Sequence, residues 1–266
     1  MQIHTRLSMH LAGAGVAAGI LAGAAMAQDG AAKTTHAVEG GEVRIIPVEH
    51  ASLFLDTPSA LIAIDPVGPA ALYQDKGQPD LILLTHEHQD HFDPAALARL
   101  VEKHPKIISN PAVLDKLPED LKANASALKN GESTEFAGIG IEAVPAYNTT
   151  PERTKFHPQG RDNGYVLTIG GKRFYVAGDT EATDDFKAMK DIEVAFVPMN
   201  LPYTMTTDQA AEGVAAFAPT YVYPYHHKGT DPNEFAAKLK AAGAPTETVI
   251  LDWYPQSDDP AGGQAD

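Results

Sequence analysis

The sequence predicts an α/β fold, built as one domain over residues 43–254. Three observations predict it. Short apolar runs rich in β-branched residues recur along the chain, such as "VRIIPV" (43–48) and "PDLILLT" (79–85), and these have strand length. From the middle onward, such runs alternate with capped segments of helical period. No repeat and no second linker divides the chain, whose 266 residues are enough for one large α/β domain.

The first 27 residues differ from the rest. "MQIHTRLSMH" carries one arginine and no acid, "LAGAGVAAGILAGAAM" is uncharged and rich in Ala and Gly, and "AMA" fits a small-residue cleavage site. This segment reads as a secretory signal peptide cut after Ala27, too short and Gly-rich for a stable spanning helix. The expected address is periplasmic or secreted, with no stable membrane anchor after cleavage. Residues 28–42, small and polar, read as a linker.

The elements then follow in order. Residues 43–48 and 51–66 read as strands, the second broken by the turn "DTPS". The continuous apolar run 79–85 has the pattern of a strand buried on both faces. Asp93 caps a helix over "DPAALARLVEKH" (93–104), with Pro94 in its first turn. "KIISN" (106–110) is a short strand and 111–129 a set of short helices. Strands are predicted at 138–147, 163–171 and 172–179, the last two a hairpin turning at Gly170-Gly171. A buried strand at 192–199, a capped amphipathic helix at 206–219 and a strand at 220–225 follow. A helix over 231–243 with a Gly stop and a last strand at 247–254 complete the domain. Residues 255–266 read as a flexible tail.

The chain has 35 acids against 20 basic residues, a formal charge of −15, and loss of Arg6 with the leader makes it one charge more negative. Such a chain repels polyanions, so a small molecule is the expected partner and nucleic acid is not. The oligomeric state is not readable. There is no cysteine, so neither a disulfide nor a thiolate ligand is available.

"THEHQDH" (85–91) sets three histidines and an aspartate directly after a predicted strand end. Other candidate ligands also follow apolar strands: Asn148 after "IEAVPAY", Asp179 after "FYVAG" and His226 after "YVYPY". Functional groups in such sheets collect beyond the carboxyl ends of the strands, so these residues can meet at one edge. His86 and His88, two apart on an extended stretch, point to the same side. Asp90 and His91 lie where the chain turns into the helix cap. One loop can therefore serve two metals, His86 and His88 on one, Asp90 and His91 on the other. Neutral imidazole with carboxylate suits zinc, and also manganese or iron. The bland reading of the run is a solvated polar loop. "AGDT" and "YPYHH" downstream weigh against it.

On "THEHQDH", "AGDT" and "YPYHH", with "HAS" (50–52) and "IDP" (64–66), the sequence resembles the metallo-β-lactamase fold superfamily of metal-dependent hydrolases. The phrases look most like the branch that includes ascorbate-phosphate lactonase and N-acylphosphatidylethanolamine phospholipase. The resemblance covers about residues 43–254 and implies a four-layer αβ/βα sandwich with the site at one edge. It implies that His86 and His88 hold a first metal, that Asp90, His91 and His226 hold a second, and that Asp179 bridges both. One departure matters. Many relatives carry a third histidine where this chain has Asn148, in "AYNTT". Either Asn148 itself or His157, in "KFHPQG", must then complete the first site, or the site stays weak or empty.

Other candidates are graded by surroundings. His50 resembles a histidine that sits beside the metals, with a supporting or substrate role. Asp65 is expected to hold a strand end or a ligand histidine. Tyr147, Tyr203 and Lys228 either line the pocket or pack, and Trp253 reads as core or rim. His227 reads as exposed, and His36 and His104 as solvated.

The expected reaction is hydrolysis by a metal-bound hydroxide, with Asp90 orienting the nucleophile and His50 or Lys228 helping the leaving group. A lactone or phosphate ester of a small molecule or lipid is the expected substrate. The alternatives are a β-lactam, disfavoured by the missing cysteine ligand, and a metal- or ligand-binding protein with an impaired first site.

Overall fold

The computed structural model describes Met1 and residues 33–255. The expected leader (1–27) and all but the first residue of the expected tail (255–266) lie outside the described residues.

Each half of the domain builds a seven-stranded sheet. The first half contributes β1 (Thr35–Val38), β2 (Gly41–Glu49), β3 (Ser52–Asp56), β4 (Leu61–Ile64), β5 (Leu81–Leu83), β6 (Lys106–Ser109) and β7 (Ala125–Ala127), side by side in chain order. The second half contributes β8 (Ser133–Phe136), β9 (Ile139–Ala146), β10 (Asp162–Ile169), β11 (Lys172–Val176), β12 (Ile192–Pro198), β13 (Tyr221–Tyr225) and β14 (Glu247–Thr248), again neighbours in chain order. In both sheets the first four strands pair antiparallel and the later ones parallel. The parallel stretches carry the crossover helices: α1 (Pro94–Leu97), α2 (Pro111–Lys116) and α3 (Glu119–Lys122) in the first half, and α4 (Asp184–Lys187), α5 (Thr207–Phe217) and α6 (Pro232–Ala241) in the second.

Strand alternation sorts the apolar residues into three layers. Leu81 and Leu83 of β5 face the second sheet and pack with Val176, Phe196 and Tyr225, whereas Ile82 and Leu84 face outward against Leu97 and Val113. On β12, Val194 and Phe196 point inward, and Ala195 and Val197 outward against α5 and α6. The result is helix, sheet, sheet, helix, the four-layer αβ/βα sandwich. The continuous apolar runs are strands buried on both faces, as parallel strands covered by helices must be.

Local signals account for several element ends. Gly170 and Gly171, with φ of 48° and 76°, turn the β10–β11 hairpin. A capping box between Thr206 and Gln209 starts α5. The Asp93 side chain accepts from Ala95 N at 2.8 Å and starts α1.

The sequence reading needs four corrections. Residues 35–38, read as linker, form β1, because His36 is buried with its Nε2 2.6 Å from the Tyr223 hydroxyl on the other sheet. That partner is 187 residues away and leaves no local trace. The helix after Asp93 stops at Leu97. Arg99 N and Leu100 N then bond only three residues back, and His104, restricted by Pro105, turns at φ 53°. The short strands β7 and β8, both at sheet edges, fall outside the predicted elements, β7 inside a segment read as helical. The last strand ends at Thr248, after which the chain crosses to the first sheet, where Trp253 O accepts from His50 N at 2.9 Å.

Candidate metal centre

The carboxyl ends of β5, β9, β11 and β13 open on one edge, and the loops after them carry His86–His91, Asn148–His157, Asp179 and His226. The β2–β3 turn brings His50 to the same place: its carbonyl accepts from His226 N at 3.0 Å, and the two rings lie 3.8 Å apart. Three non-glycine residues here, His50, Asp65 and His226, adopt left-handed φ values of 57°, 42° and 46°. Each sits where a strand ends and the side chain must be re-aimed. Such conformations are uncommon away from glycine and concentrate at functional sites.

Two clusters result. In the first, His86 Nε2 and His88 Nδ1 are 3.1 Å apart, and the His157 ring lies 4.9 Å and 4.8 Å from theirs, centroid to centroid. In the second, Asp90 Oδ2 lies 3.4 Å from His226 Nε2 and 4.0 Å from His91 Nε2. Asp179 stands between them. Its Oδ2 is 3.3 Å from both His157 Nε2 and His226 Nε2 and 3.9 Å from His86 Nε2, while its Oδ1 is 3.3 Å from His91 Nε2. The loop of His157 is therefore brought back onto His86 and His88. Asn148 Nδ2 donates to the carbonyls of Arg153 and Tyr203, and its Oδ1 is buried without a hydrogen-bond partner.

The distal ring nitrogens are held from behind. Asp65 Oδ2 accepts from His91 Nδ1 at 2.8 Å and from the Thr85 hydroxyl at 2.6 Å, while its Oδ1 takes Thr85 N, tying the end of β5 to the site. The Thr85 oxygen in turn lies 3.0 Å from His86 Nδ1. Asp162 Oδ2 accepts from His157 Nδ1 at 3.0 Å, and Arg161 clamps both oxygens of Asp162 at 2.6 and 2.8 Å. These contacts hold the outer ring nitrogens, so that the inward nitrogens are the ones left to face an ion. The His157 loop is itself anchored. Buried Glu181 accepts from Thr149 N and Thr150 N at 2.7 Å and from Arg153 at 2.9 Å, and Asn148 N closes the loop on His157 O at 2.9 Å.

Electrostatics follows from this crowding. Burial alone would raise the Asp179 carboxyl, but the imidazoles of His226, His91 and His157 outweigh it and hold it well below the usual range. Asp90 is lowered in the same way, burial being outweighed by hydrogen bonds from His226 and His50. Burial depresses His91 too, yet Asp179, Asp65 and Asp90 reverse this and push it up to about 10. His50 goes down to about 4, chiefly through burial and then through His226.

The residues fit a metal. His91 Nε2, His157 Nε2, His226 Nε2 and Asp179 Oδ1 are buried and have no hydrogen-bond partner, although they converge on one another. Leaving such groups unmet is costly, and metal held among them would satisfy them. Ligands of one tetrahedral zinc, each about 2.0–2.1 Å from it, lie about 3.3 Å apart, close to the spacings around Asp179.

Other candidates separate clearly. His50 lies 3.2 Å from Asp90 Oδ2 through Nε2, and its Nδ1 is 3.0 Å from the Tyr254 hydroxyl. Tyr147 packs, donating to Asp185 at 2.9 Å, and Trp253 is core. Lys228 is exposed, as is His104. His227, expected to be exposed, is buried, and so is His36: each is covered by a tyrosine from a distant part of the chain, Tyr254 for His227 and Tyr223 for His36. Sequence reasoning missed Asp162, Arg161, Glu181 and Tyr254. The one available signal was an acid a few residues past His157.

The model of the β-lactamase superfamily domain matches residues 44–226, from β2 to the last histidine of the site. Among curated proteins, the chain is 29% identical over 224 residues to a UPF0173 metal-dependent hydrolase of Pyrococcus abyssi, covering 79% of this chain and 96% of that protein. It is 30% identical over 223 residues to one from Thermus thermophilus, covering 76% and 96%. Among solved structures, a protein of Parabacteroides distasonis named as a metal-dependent hydrolase shares 41% identity at a TM-score of 0.76, covering 82% of this chain and 97% of that one. A metallo hydrolase of Ignicoccus hospitalis, at 24% identity and a TM-score of 0.66, shares the fold.

Proposed function

The chain belongs to the β-lactamase superfamily of metal-dependent hydrolases, and on that premise we propose that it is a binuclear zinc enzyme cleaving a lactone or phosphate-ester bond in a small molecule or lipid. The observation that carries this reading is the set of unpartnered ligand atoms around Asp179, flanked by two separate histidine clusters. His86, His88 and His157 would hold the first ion, Asp90, His91 and His226 the second, with Asp179 shared. When bound, the ions supply a nucleophile at neutral pH and offset charge on the substrate oxygen.

The chain's own residues do the rest. Asp90, half exposed at the mouth, is the acceptor placed to orient an attacking water. His50, lowered to about 4 and so neutral at pH 7, lies with Nε2 3.2 Å from Asp90 Oδ2, where its N–H can hold that carboxylate in place beside the leaving group. The Tyr254 hydroxyl keeps the other His50 nitrogen in place. Lys228, on the rim, remains available to a leaving group. The leader-like residues 1–27 support a periplasmic or secreted address for this reaction.

Hydrolysis of lactone and phosphate-ester panels should vanish on thorough chelation and return with Zn²⁺ or Mn²⁺. Undiminished activity in metal-stripped protein would contradict the reading. Nitrocefin turnover at the level of a dedicated lactamase would shift the substrate to a β-lactam.

A further inference from the structure

Among the described residues past Met1, the exposed large hydrophobics are two, Leu201 at 47% and Tyr203 at 44%, and both stand on one loop after β12. That loop runs along the metal centre. It starts beside the second cluster, where Met199 N donates to His226 O at 3.3 Å and Asn200 Nδ2 donates to Lys228 O at 3.0 Å. It ends beside the first, where the Tyr203 carbonyl accepts from Asn148 at 2.7 Å and the Tyr203 ring meets Phe156 edge-on at 5.0 Å, one residue before His157. Tyr203 and Phe156 thus pair beside the first cluster, and Leu201 stands exposed on the same loop between its two anchored ends.

Water-exposed leucine and tyrosine side chains on a loop pinned at both ends are unsatisfied apolar surface beside a site built to hold a reacting group. Of the nearby cations, Lys155 lies over the Phe156 ring at 4.9 Å and Lys228 is exposed at the far end of the loop, while the two arginines are occupied. Arg161 is spent on Asp162 and Phe156 O, and Arg153 on Glu181, Thr204 O and Gln209.

We propose that Leu201, Tyr203 and Phe156 form a lip that receives the apolar acyl or aryl group of an ester or lactone while its reacting carbonyl lies at the metal centre. This rests on the hydrolase reading above and narrows it to lactones and carboxylic esters with an apolar arm. The occupant is the substrate's own chain, which each fully buried methylene would bind about fourfold more tightly.

The test uses the zinc-loaded full chain and two metal-seeking probes, acetohydroxamate and octanohydroxamate, with binding measured by calorimetry. The wild type should bind the octanoyl probe at least about tenfold more tightly than the acetyl one. That ratio should fall to about one or two in Leu201→Ser with Tyr203→Ser, and should persist in Leu201→Met with Tyr203→Phe. Metal content and thermal midpoint are to be matched across the set. Equal affinities in the wild type, absence of binding at either length, or a preference that survives both serines would each overturn the lip. So would a loss of self-association in the serine variant with the preference intact, since the patch would then serve a second copy of the chain. Turnover of p-nitrophenyl acetate and octanoate is measured alongside. Absence of turnover with a normal probe preference would defeat the ester reading and leave the lip standing.

Discussion

At the residue scale, function depends on which ring nitrogens face inward. Asp65 and Asp162 each hold one imidazole from behind, at 2.8 and 3.0 Å. Asp162→Asn should therefore weaken first-site metal affinity by about 10–100-fold, read by competition with a chelator, and leave the second site unchanged. Metal uptake should also depend on pH. His91 is pushed up to about 10 in the metal-free protein, by Asp179, Asp65 and Asp90 against burial, so an ion must displace a proton from it. Apparent affinity should then rise with pH across the neutral range, with proton release measurable by calorimetry in buffers of different ionisation enthalpy. The support from Asp65 was readable from its place in "IDP" at a predicted strand end. The support from Asp162 was not, because the loop between it and His157 has no period that places side chains in space.

At the element scale, the site depends on strand ends held in register. A Cβ on Gly164 of β10 would lie 2.6 Å from Ala177 O and 2.8 Å from Val176 O, the backbone leading directly to Asp179. Gly164→Ala should cost about 2 kcal/mol of stability, measured by denaturant unfolding, and lower metal content as Asp179 is displaced. The strands that frame the site were legible because continuous apolar runs of this length, ending in polar ligand phrases, have few other readings. The short polar strands β1, β7 and β8 were not. β1 is fixed by partners nearly two hundred residues away, and β7 and β8 lie at sheet edges, where residues need only half-bury. The length of the helix after Asp93 was overread for a similar reason: its cap is local, but its end is set by the approach to Pro105.

At the scale of the whole molecule, two half-sheets of the same strand pattern meet across one core, and the site lies where both contribute strand ends. The sheets are also joined far from the centre by His36, whose pKa is lowered to about 4, chiefly by burial and then by Lys33. Between pH 6.5 and about 4 the unfolded chain binds this proton and the folded chain does not, so stability is lost as pH falls through that window. Unfolding midpoints measured from pH 7 to 4 should decline in the wild type and decline less steeply in His36→Gln.

The central claim is that two metal ions lie in this edge and that His157, not Asn148, completes the first site. Metal content per chain after zinc loading and gel filtration tests it most directly, in wild type, Asn148→Ala and His157→Ala. The account predicts two ions in the wild type and in Asn148→Ala, and one in His157→Ala. Two ions retained in His157→Ala, or one lost in Asn148→Ala alone, would contradict it.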